Sequence, residues 1–410
     1  MNLARMFPRR KRQAGGDGSD RIRLLKVVPT FMCGGTENQF MTLGRSLDPR
    51  HFDLEFACLR RWGAFADELD QRRIPLLEYE VSTFRSVAAL RQQAKLARHI
   101  ARRRIDIVHA YSFYGNVFAV PPARLAGTPV VIASIRDRAP YLTPMQKRAQ
   151  RYACQFADCL LVNATAVKDW LIAEKYDASK IVVIPNGVDL SRFKKPDDPA
   201  RIRQELGLPT DTPIVAVVSR LNRMKGLEQF LEATAIVGRQ FPTARFLIVG
   251  DTNPNDRPYW SVLTLIAERL GMAERVIFTG LRNDVPELLS GVTVSVMPSL
   301  NEALSNVVLE SMAAGVPTVA TRVGGTPEAM QDDVNGLLVA PGDPKALATA
   351  ILRLLADPSL AARLGAAARQ SVSERFSMER MVSDTEQLYY SLLEARNHVP
   401  AVASREFACK

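Results

Sequence analysis

Pro298-Ser-Leu-Asn-Glu-Ala-Leu-Ser-Asn-Val-Val-Leu-Glu310 contains two glutamates and the junction between a predicted strand and a predicted helix. An apolar, strand-like segment, Val292 to Met297, precedes it, and a helical pattern begins near Ser305. A strand, a short loop and a helix N-terminus in this order favour anion binding, because the first N–H groups of a helix have no partner within it. We expect a phosphate to be bound by the backbone amides of Leu304, Ser305 and Asn306.

Two carboxylates, Glu302 and Glu310, flank this predicted phosphate site. Eight residues of helix span about 12 Å, so one carboxylate can stand on each side of a bound diphosphate. Carboxylates repel phosphate but accept hydrogen bonds from hydroxyls, which predicts the two sugars of a nucleotide sugar as their partners. Taken alone, the stretch also fits an ordinary loop glutamate followed by an ordinary solvent-facing helical glutamate.

The stretch resembles the Glu-x7-Glu signature of retaining, nucleotide-sugar-dependent glycosyltransferases with the GT-B fold, the "glycosyl transferases group 1" family. The resemblance covers roughly residues 22 to 395, and it rests on several weak motifs that occur in the order of the family. The further motifs are Gly34-Gly-Thr-Glu37, Asn186-Gly-Val-Asp189, Ser219-Arg-Leu221 with Lys225-Gly226, Ala314-Gly-Val-Pro317 and Gly324-Gly-Thr-Pro-Glu328.

Short apolar runs alternate with longer amphipathic segments from Ile22 onward, the pattern of βα units around a parallel sheet. With 410 residues the chain suits two domains. We therefore expect an α/β protein of the GT-B type, in which two Rossmann-like, doubly wound domains face a central cleft. The predicted organisation is a basic disordered tail (1–20), an acceptor domain (21–190), a donor domain (191–380), a terminal helix returning to the first domain (381–396) and a tail (397–410).

The net charge of +11 lies entirely in the first half of the chain. Residues 1–190 hold 30 Lys and Arg against 18 Asp and Glu, whereas the remainder holds 24 against 25. Such a bias predicts an anionic partner. The five cysteines are an odd number at unrelated spacings, and the N-terminus has no apolar core of a secretory signal, so we expect reduced thiols in a cytoplasmic protein.

Arg220 and Lys225 are the predicted catalytic cations. They follow the strand-like run Ile214 to Val218, and Arg binds two phosphate oxygens at once while Lys adds a compact charge. They would stabilise the departing diphosphate by preorganised electrostatics, although two exposed basic residues after a strand would look the same. Because the chain contains no Asp-x-Asp, we expect neither a metal ion nor another cofactor.

The resemblance assigns roles to several of these residues. It implies that Glu310 binds the ribose and that Glu302 contacts the donor sugar near the reacting carbon. It also implies that the loop of Gly34 and Gly35 reaches the donor phosphate and the acceptor. Glycines let backbone approach a ligand closely, but a simple βα turn would also contain them.

One position departs from the family pattern. Many members carry a histidine after the fifth strand of the first domain, where this chain has Arg136. Arginine stays charged and cannot shuttle a proton, so Arg136 would instead contact a phosphate or carboxylate of donor or acceptor. His109, which ends a predicted strand, is a second candidate contact to the acceptor, with a packed histidine as the alternative.

A helical segment from Ser86 to Arg104 carries four basic residues at successive helical steps. We expect them to lie opposite an apolar stripe of Val87, Leu90, Ala94 and Ala97. A solvated basic face is one interpretation. The basic tail and the charge of the first half favour a second one, peripheral contact with an anionic membrane. The basic residues are Arg91, Lys95, Arg98 and Arg102.

These patterns together predict a metal-independent, retaining glycosyltransferase that moves a sugar from a nucleotide-diphosphate donor to a glycan or lipid-linked acceptor. Surface or extracellular polysaccharide synthesis is the expected setting, in the cytoplasm or at the inner face of the membrane. Two alternatives stay open: a GT-B nucleotide-sugar epimerase, and a basic nucleic-acid-binding protein. The second has little support, because aromatic residues make up only 7% of the chain and no motif for binding RNA or DNA is present.

Overall fold

The computed structural model describes residues 21–32, 34–71, 74–84, 86–138, 140–193, 200–252 and 257–396. The predicted tails, 1–20 and 397–410, lie outside these residues. The chain divides into two compact units. Unit 1 contains residues up to Pro185 together with those from Met381 onward, and unit 2 runs from Asn186 to Arg380. The division falls a few residues before the boundary predicted from the sequence.

Unit 1 is built on a seven-stranded parallel sheet with the order β3-β2-β1-β4-β5-β6-β7. Its strand Val130–Ile135 is an almost continuous run of Val, Ile and Ala, as expected for a strand covered on both faces. The strands are β1 (Ile22–Val28), β2 (Phe52–Cys58), β3 (Leu76–Glu78), β4 (Ile107–Tyr111), β5 (Val130–Ile135), β6 (Cys159–Val162) and β7 (Ile181–Val183). The helices are α1 (Gly35–Ser46), α2 (Ala64–Gln71), α3 (Val87–Arg103), α4 (Ser112–Leu125), α5 (Pro144–Cys154) and α6 (Thr165–Ala173).

Unit 2 repeats the theme with a six-stranded parallel sheet of order β10-β9-β8-β11-β12-β13. Its strands are β8 (Ile214–Val218), β9 (Arg245–Val249), β10 (Val276–Gly280), β11 (Val294–Met297), β12 (Thr318–Thr321) and β13 (Leu337–Val339). Its helices are α7 (Arg201–Glu205), α8 (Leu227–Gln240), α9 (Arg257–Arg269), α10 (Val285–Ser290), α11 (Asn306–Ala313), α12 (Thr326–Ala329), α13 (Pro344–Ala356) and α14 (Pro358–Arg375).

The last helix, α15 (Met378–Glu394), belongs to unit 1 from Met381 onward. Spacings of three and four residues predict an apolar stripe on this helix, and six of its seven residues are buried while Leu392 is half-buried. The stripe consists of Met381, Val382, Thr385, Leu388, Tyr389, Leu392 and Leu393. Tyr389 packs edge-on against Phe52 of β2, with 6.0 Å between ring centroids. The predicted stripe is therefore the packing face of this helix.

Each sheet reverses its strand order at one point. In unit 1 the reversal lies between β1 and β4, and in unit 2 it lies between β8 and β11. Ligands of doubly wound sheets bind outside the carboxyl ends of the strands at such a point. Within the described residues, no helix is long and apolar enough to cross a bilayer.

Candidate active site

The carboxyl ends of β8 and β11 bring the predicted donor-site residues of unit 2 together. Arg220 and Lys225 follow β8, and Glu302 follows β11. β8 and β11 are neighbours in the sheet. The two loops touch, because the amide of Leu300 donates to the carbonyl of Met224 at 2.8 Å. The site thus lies at the point where the strand order of unit 2 reverses.

Gly226 permits this close approach of the two loops. Its φ is +66°, and a Cβ added there would stand 1.9 Å from the carbonyl oxygen of Pro298. A left-handed conformation and a backbone oxygen at that distance both require glycine. The Lys225-Gly226 motif therefore has a steric cause in addition to the charge of the lysine.

Lys225 and Glu302 form an ion pair through Nζ and Oε1. Only 20% of the lysine side chain and 12% of the glutamate side chain are exposed, so solvent screens the pair weakly. Ser299 donates its hydroxyl to the same carboxylate oxygen at 2.9 Å. The sequence analysis assigned these two residues separate partners and did not predict that they bind each other.

Arg220 lies directly after β8 and is exposed. Among the described residues its guanidinium makes no hydrogen bond or ion pair. The backbone beside it is fixed, because the amide of Leu221 donates to the carbonyl of Asp251 at 3.0 Å. An exposed guanidinium on an anchored loop is available to an anionic ligand.

Helix α11 starts as the sequence predicts, with Ser305 as its N-cap. The Ser305 hydroxyl accepts a hydrogen bond from the Val308 amide at 3.4 Å. From the other side, the Asn186 side-chain amide donates to the carbonyl of Leu304 at 3.2 Å and to Oδ1 of Asn306 at 2.6 Å. Asn186 therefore fixes the segment that contains the predicted phosphate amides.

The sequence analysis did not assign Asn186 to the site. It is 4% exposed and belongs to the Asn186-Gly-Val-Asp189 motif, which was used only as a landmark of the family. The sequence offered one signal for this role: Asn186 is an uncharged polar residue in a motif that lies between the two predicted domains. Its contact with residues more than a hundred positions later becomes visible only in the folded chain.

Glu310 lies in the middle of α11 and keeps only part of its side chain exposed. Desolvation raises the pKa of this carboxyl to about 7, and the nearby charge of Arg192 opposes the shift only in part. Among the described residues the Glu310 carboxyl has no hydrogen-bond partner. It is a desolvated acceptor whose charge changes near neutral pH.

A third loop, which follows β12, supports the same site. Gly324 has a φ of +51°, and a Cβ there would stand 1.9 Å from the carbonyl oxygen of Glu302. The amide of Gly325 donates to the carbonyl of Ala303. The Thr321 hydroxyl donates to the carbonyl of Ser299 at 2.5 Å. The backbone around Glu302 is thus held from β12 as well as from β8.

In unit 1, Gly34 and Gly35 lie where β1 leads into α1. Gly34 is the N-cap with an ordinary extended conformation (φ −136°), and Gly35 is the first helical residue. A Cβ on Gly34 would meet only the movable carboxylate of Glu37, at 2.2 Å. The backbone geometry at Gly34 therefore does not itself require glycine, and a ligand contact there stays a prediction.

Arg136 follows β5 at the carboxyl edge of the unit 1 sheet and is half-buried. Desolvation lowers the pKa of its guanidinium. The nearby Lys26 is fully buried, lies 4.3 Å above the ring of Phe40 and donates to the Phe40 carbonyl at 2.5 Å. Burial, with a smaller effect of Arg136, holds the pKa of Lys26 well below its usual value. The sequence analysis did not single out this lysine.

His109 is fully buried in β4, which continues two residues beyond it to Tyr111. Its Nδ1 bonds to the hydroxyl of Tyr389 at 2.7 Å, and its Nε2 bonds to the hydroxyl of Ser134 at 2.8 Å. Burial lowers its pKa and keeps the ring neutral. Both ring nitrogens have partners inside unit 1. His109 is therefore a packed residue, and we do not include it in the proposed acceptor site.

Comparison with known proteins gives two family matches that together span most of the chain. The model of "Glycosyl transferases group 1" matches residues 198–371, and the model of "Glycosyltransferase Family 4" matches residues 33–192. A D-inositol 3-phosphate glycosyltransferase of Corynebacterium urealyticum is 32% identical over 317 residues, which is 72% of this chain and 74% of that protein. The chain belongs to the glycosyl transferases group 1 family.

Further relatives of the chain are similar over nearly their whole length. A UDP-Gal:alpha-D-GlcNAc-diphosphoundecaprenol alpha-1,3-galactosyltransferase of Escherichia coli is 26% identical over 91% of this chain and 98% of its own length. The crystal structure of Anabaena Alr3699/HepE in complex with UDP-glucose superimposes with a TM-score of 0.82. It is 25% identical and covers 90% of this chain and 100% of that chain. This group 1 glycosyltransferase therefore has the GT-B fold that the sequence predicted.

Proposed function

We propose that this glycosyltransferase moves a sugar from a nucleotide-diphosphate donor to a glycan or lipid-linked acceptor with retention of configuration. The observation that carries the proposal lies in unit 2. The loops after β8, β11 and β12 converge on Glu302, with Lys225 bound to it and the N-terminus of α11 three residues further on. This arrangement supports binding of an anion beside a sugar.

In the proposed reaction, Arg220, Lys225 and the amides of Leu304, Ser305 and Asn306 stabilise the charge that develops on the departing diphosphate. Preorganised donors aimed at developing charge lower the barrier of such a step. Glu302 accepts hydrogen bonds from the donor sugar, while Glu310 accepts them from the ribose hydroxyls.

The ion pair between Lys225 and Glu302 gives the free site a defined geometry. It holds the lysine near the loop after β11 and orients the carboxylate of Glu302. When a nucleotide sugar binds, Lys225 turns toward the diphosphate and the carboxylate of Glu302 turns toward the sugar. The site thus exchanges an internal pair for two contacts to the donor.

The acceptor side of the proposal rests on unit 1. Gly34, Gly35 and Arg136 lie at the carboxyl edge of its sheet, and Arg136 adds a positive charge suited to a phosphate or carboxylate. The Escherichia coli relative acts, by its name, on a diphosphoundecaprenol acceptor. A lipid-linked glycan is therefore the proposed acceptor, surface or extracellular polysaccharide synthesis the proposed setting, and the cytoplasmic side of the membrane the proposed location.

We further propose that the transfer needs no divalent metal and no other cofactor. The cationic side chains and the helix start would neutralise the diphosphate themselves, and the sequence has no Asp-x-Asp. The turnover rate in buffer with a chelator should therefore equal the rate in buffer with magnesium. Activity that is lost with the chelator and restored by magnesium or manganese would remove this part of the proposal.

A screen of nucleotides and nucleotide sugars by thermal shift, followed by turnover with the best donor and a lipid-linked acceptor, tests the function. We expect a nucleoside diphosphate and its sugar to raise the unfolding temperature, and NMR of the product to show the anomeric configuration of the donor. Sugar conversion without an acceptor would indicate the epimerase instead. An inverted product would contradict retention, and the absence of any nucleotide effect would contradict the donor site.

A further inference from the structure

Helix α3 exposes apolar side chains on the same face as its basic residues. The prediction that Val87 and Leu90 lie opposite the basic residues is wrong. Both are exposed, by 65% and 63%, whereas the buried positions are Ala89, Leu96 and Ile100. Steps of three and four residues place Val87 and Leu90 beside Arg91 and the three basic residues that follow it on this face. The helix therefore presents a mixed apolar and basic surface.

The neighbouring helices of the same layer continue this surface. Helices α3, α4 and α5 pack side by side, and each begins after the carboxyl end of a strand. Large exposed side chains lie at the start of all three, and we call this set the apolar rim. It consists of Val87 and Leu90 on α3, Tyr114 on α4, and Tyr141 and Met145 before and on α5.

Side-chain contacts connect the members of the apolar rim. The ring of Phe84, just before α3, stacks on the ring of Tyr114 with 5.9 Å between centroids. Phe113, next to Tyr114, packs with Leu142 in the segment that leads into α5. Packed side chains thus join the start of α3 to that of α4, and the start of α4 to the segment before α5.

Basic residues far outnumber acidic ones in the part of the sequence that carries the apolar rim. Residues 81–157 contain 13 Lys and Arg but only two acidic residues, Asp106 and Asp137. Asp106 is buried before β4, where it accepts a hydrogen bond from the Arg23 amide at 2.9 Å. Asp137 accepts one from the hydroxyl of Tyr141 at 2.9 Å. The segment that carries the exposed apolar groups therefore has a large positive excess, and its exposed basic residues include Arg91, Lys95 and Arg98 of α3.

We propose that the apolar rim and the basic face of α3 dock unit 1 on an anionic lipid bilayer. Leu, Val and Met side chains gain by burial at the boundary of headgroups and acyl chains, while Tyr suits the interface itself. Lys and Arg are attracted to anionic headgroups at the same time. A nucleic acid would satisfy the charges but would leave the aliphatic side chains in water, and the ring of Tyr114 is already stacked.

Docking in this way places the carboxyl edge of the unit 1 sheet toward the bilayer. The same edge carries Arg136 and the loop of Gly34 and Gly35. A lipid-linked acceptor would then meet these residues at the membrane surface, a consequence that depends on the proposed function. The docking itself does not depend on it.

Co-sedimentation of the full chain with vesicles tests the docking. We expect binding to phosphatidylcholine vesicles that contain phosphatidylglycerol, little binding to phosphatidylcholine alone, and release on addition of salt. Leu90→Glu should weaken binding about tenfold, because it places a negative charge against anionic headgroups. Leu125→Glu is the matched control, since Leu125 is 62% exposed on the same layer but at the far end of α4. It should bind like the wild type.

Three outcomes would overturn the proposal. Equal binding to neutral and anionic vesicles at low salt would exclude the electrostatic contribution. An equal loss of vesicle binding in both variants would exclude the apolar rim as the docking surface. Light scattering tests the alternative that a second copy of the chain binds to the apolar rim. A dimer that Leu90→Glu converts to a monomer, without vesicle binding by the wild type, would assign the surface to self-association.

Discussion

At the scale of single residues, Glu310 links the stability of the protein to its proposed function. Its pKa is raised from 4.5 to about 7 because the carboxyl is desolvated. A carboxyl with a raised folded-state pKa stabilises the fold in its protonated form. That contribution is complete below the unfolded-state pKa and is lost as the pH rises through about 7.

Glu310→Gln should therefore stabilise the ligand-free protein at pH 8, by about 2 kcal/mol, with little effect near pH 4. The same substitution should weaken binding of a nucleotide sugar about tenfold at pH 8, because an ionised carboxylate is the stronger acceptor for ribose hydroxyls. Thermal unfolding and calorimetry at both pH values measure the two effects. A variant that binds the donor as the wild type does would exclude the ribose role.

Asn186 is a positioning residue that holds the segment with the proposed phosphate-binding amides. Asn186→Ala removes the hydrogen bonds to Leu304 and Asn306. We expect a loss of stability of about 1–3 kcal/mol and a rise of about fivefold in the dissociation constant of the donor, since the phosphate amides lose their support.

Asn335→Ala is the matched control for Asn186→Ala. Asn335 is also 4% exposed and makes two hydrogen bonds, to the carbonyl of Ala329 and from the amide of Gln331. It should lose similar stability while keeping the affinity for the donor. Equal effects of both variants on the affinity would show that Asn186 acts only through general stability.

At the scale of elements, the loops after β8 and β11 must approach each other for the site to form. Gly226→Ala forces a Cβ against the Pro298 carbonyl and strains a left-handed backbone. We expect a destabilisation of about 3 kcal/mol or more and the loss of donor binding. Gly207→Ala is the control, because Gly207 has the same left-handed φ but nothing lies within 4 Å of an added Cβ.

Gly207→Ala should cost only about 1 kcal/mol, from backbone strain alone, and should leave donor binding intact. Chemical denaturation and calorimetry on both variants give the comparison. If the two substitutions are equally mild, the contact of the two loops is not a requirement of the site.

The central elements were predictable from the sequence because their patterns are local. β8 has the predicted bounds, Ile214 to Val218, and Ser305 caps α11 as its hydroxyl and position indicate. β3 and β13 escaped prediction because each has only three residues at the edge of a sheet, too few for a period. The faces of α3 were assigned wrongly because its first turns expose their apolar residues.

The contacts of the candidate site were less predictable than its residues. Motif order singled out Lys225 and Glu302, but only the adjacency of β8 and β11 shows that they form a pair. His109 and Tyr389 are still farther apart, by 280 positions, and meet because α15 packs on unit 1. Spacing along a sequence cannot encode such pairs, since they depend on which strands and helices become neighbours.

At the scale of the whole molecule, charge and binding chemistry divide between the two units. The positive excess lies in the first half of the chain, whereas the candidate donor residues lie in unit 2. This division is what a transferase needs if one unit binds the nucleotide sugar and the other approaches an anionic acceptor or surface. The donor site of unit 2 is central, because the proposed sugar transfer depends on it.

Calorimetric titration of the best nucleotide sugar into Arg220→Ala and Arg223→Ala shows whether the loop after β8 binds the donor. Both residues are exposed arginines on the loop after β8, but Arg223 already pairs with Glu228. We predict that Arg220→Ala weakens donor binding at least about tenfold, as expected for a lost charge-assisted contact to phosphate, and that Arg223→Ala binds like the wild type. Equal affinity of Arg220→Ala and the wild type would contradict the account.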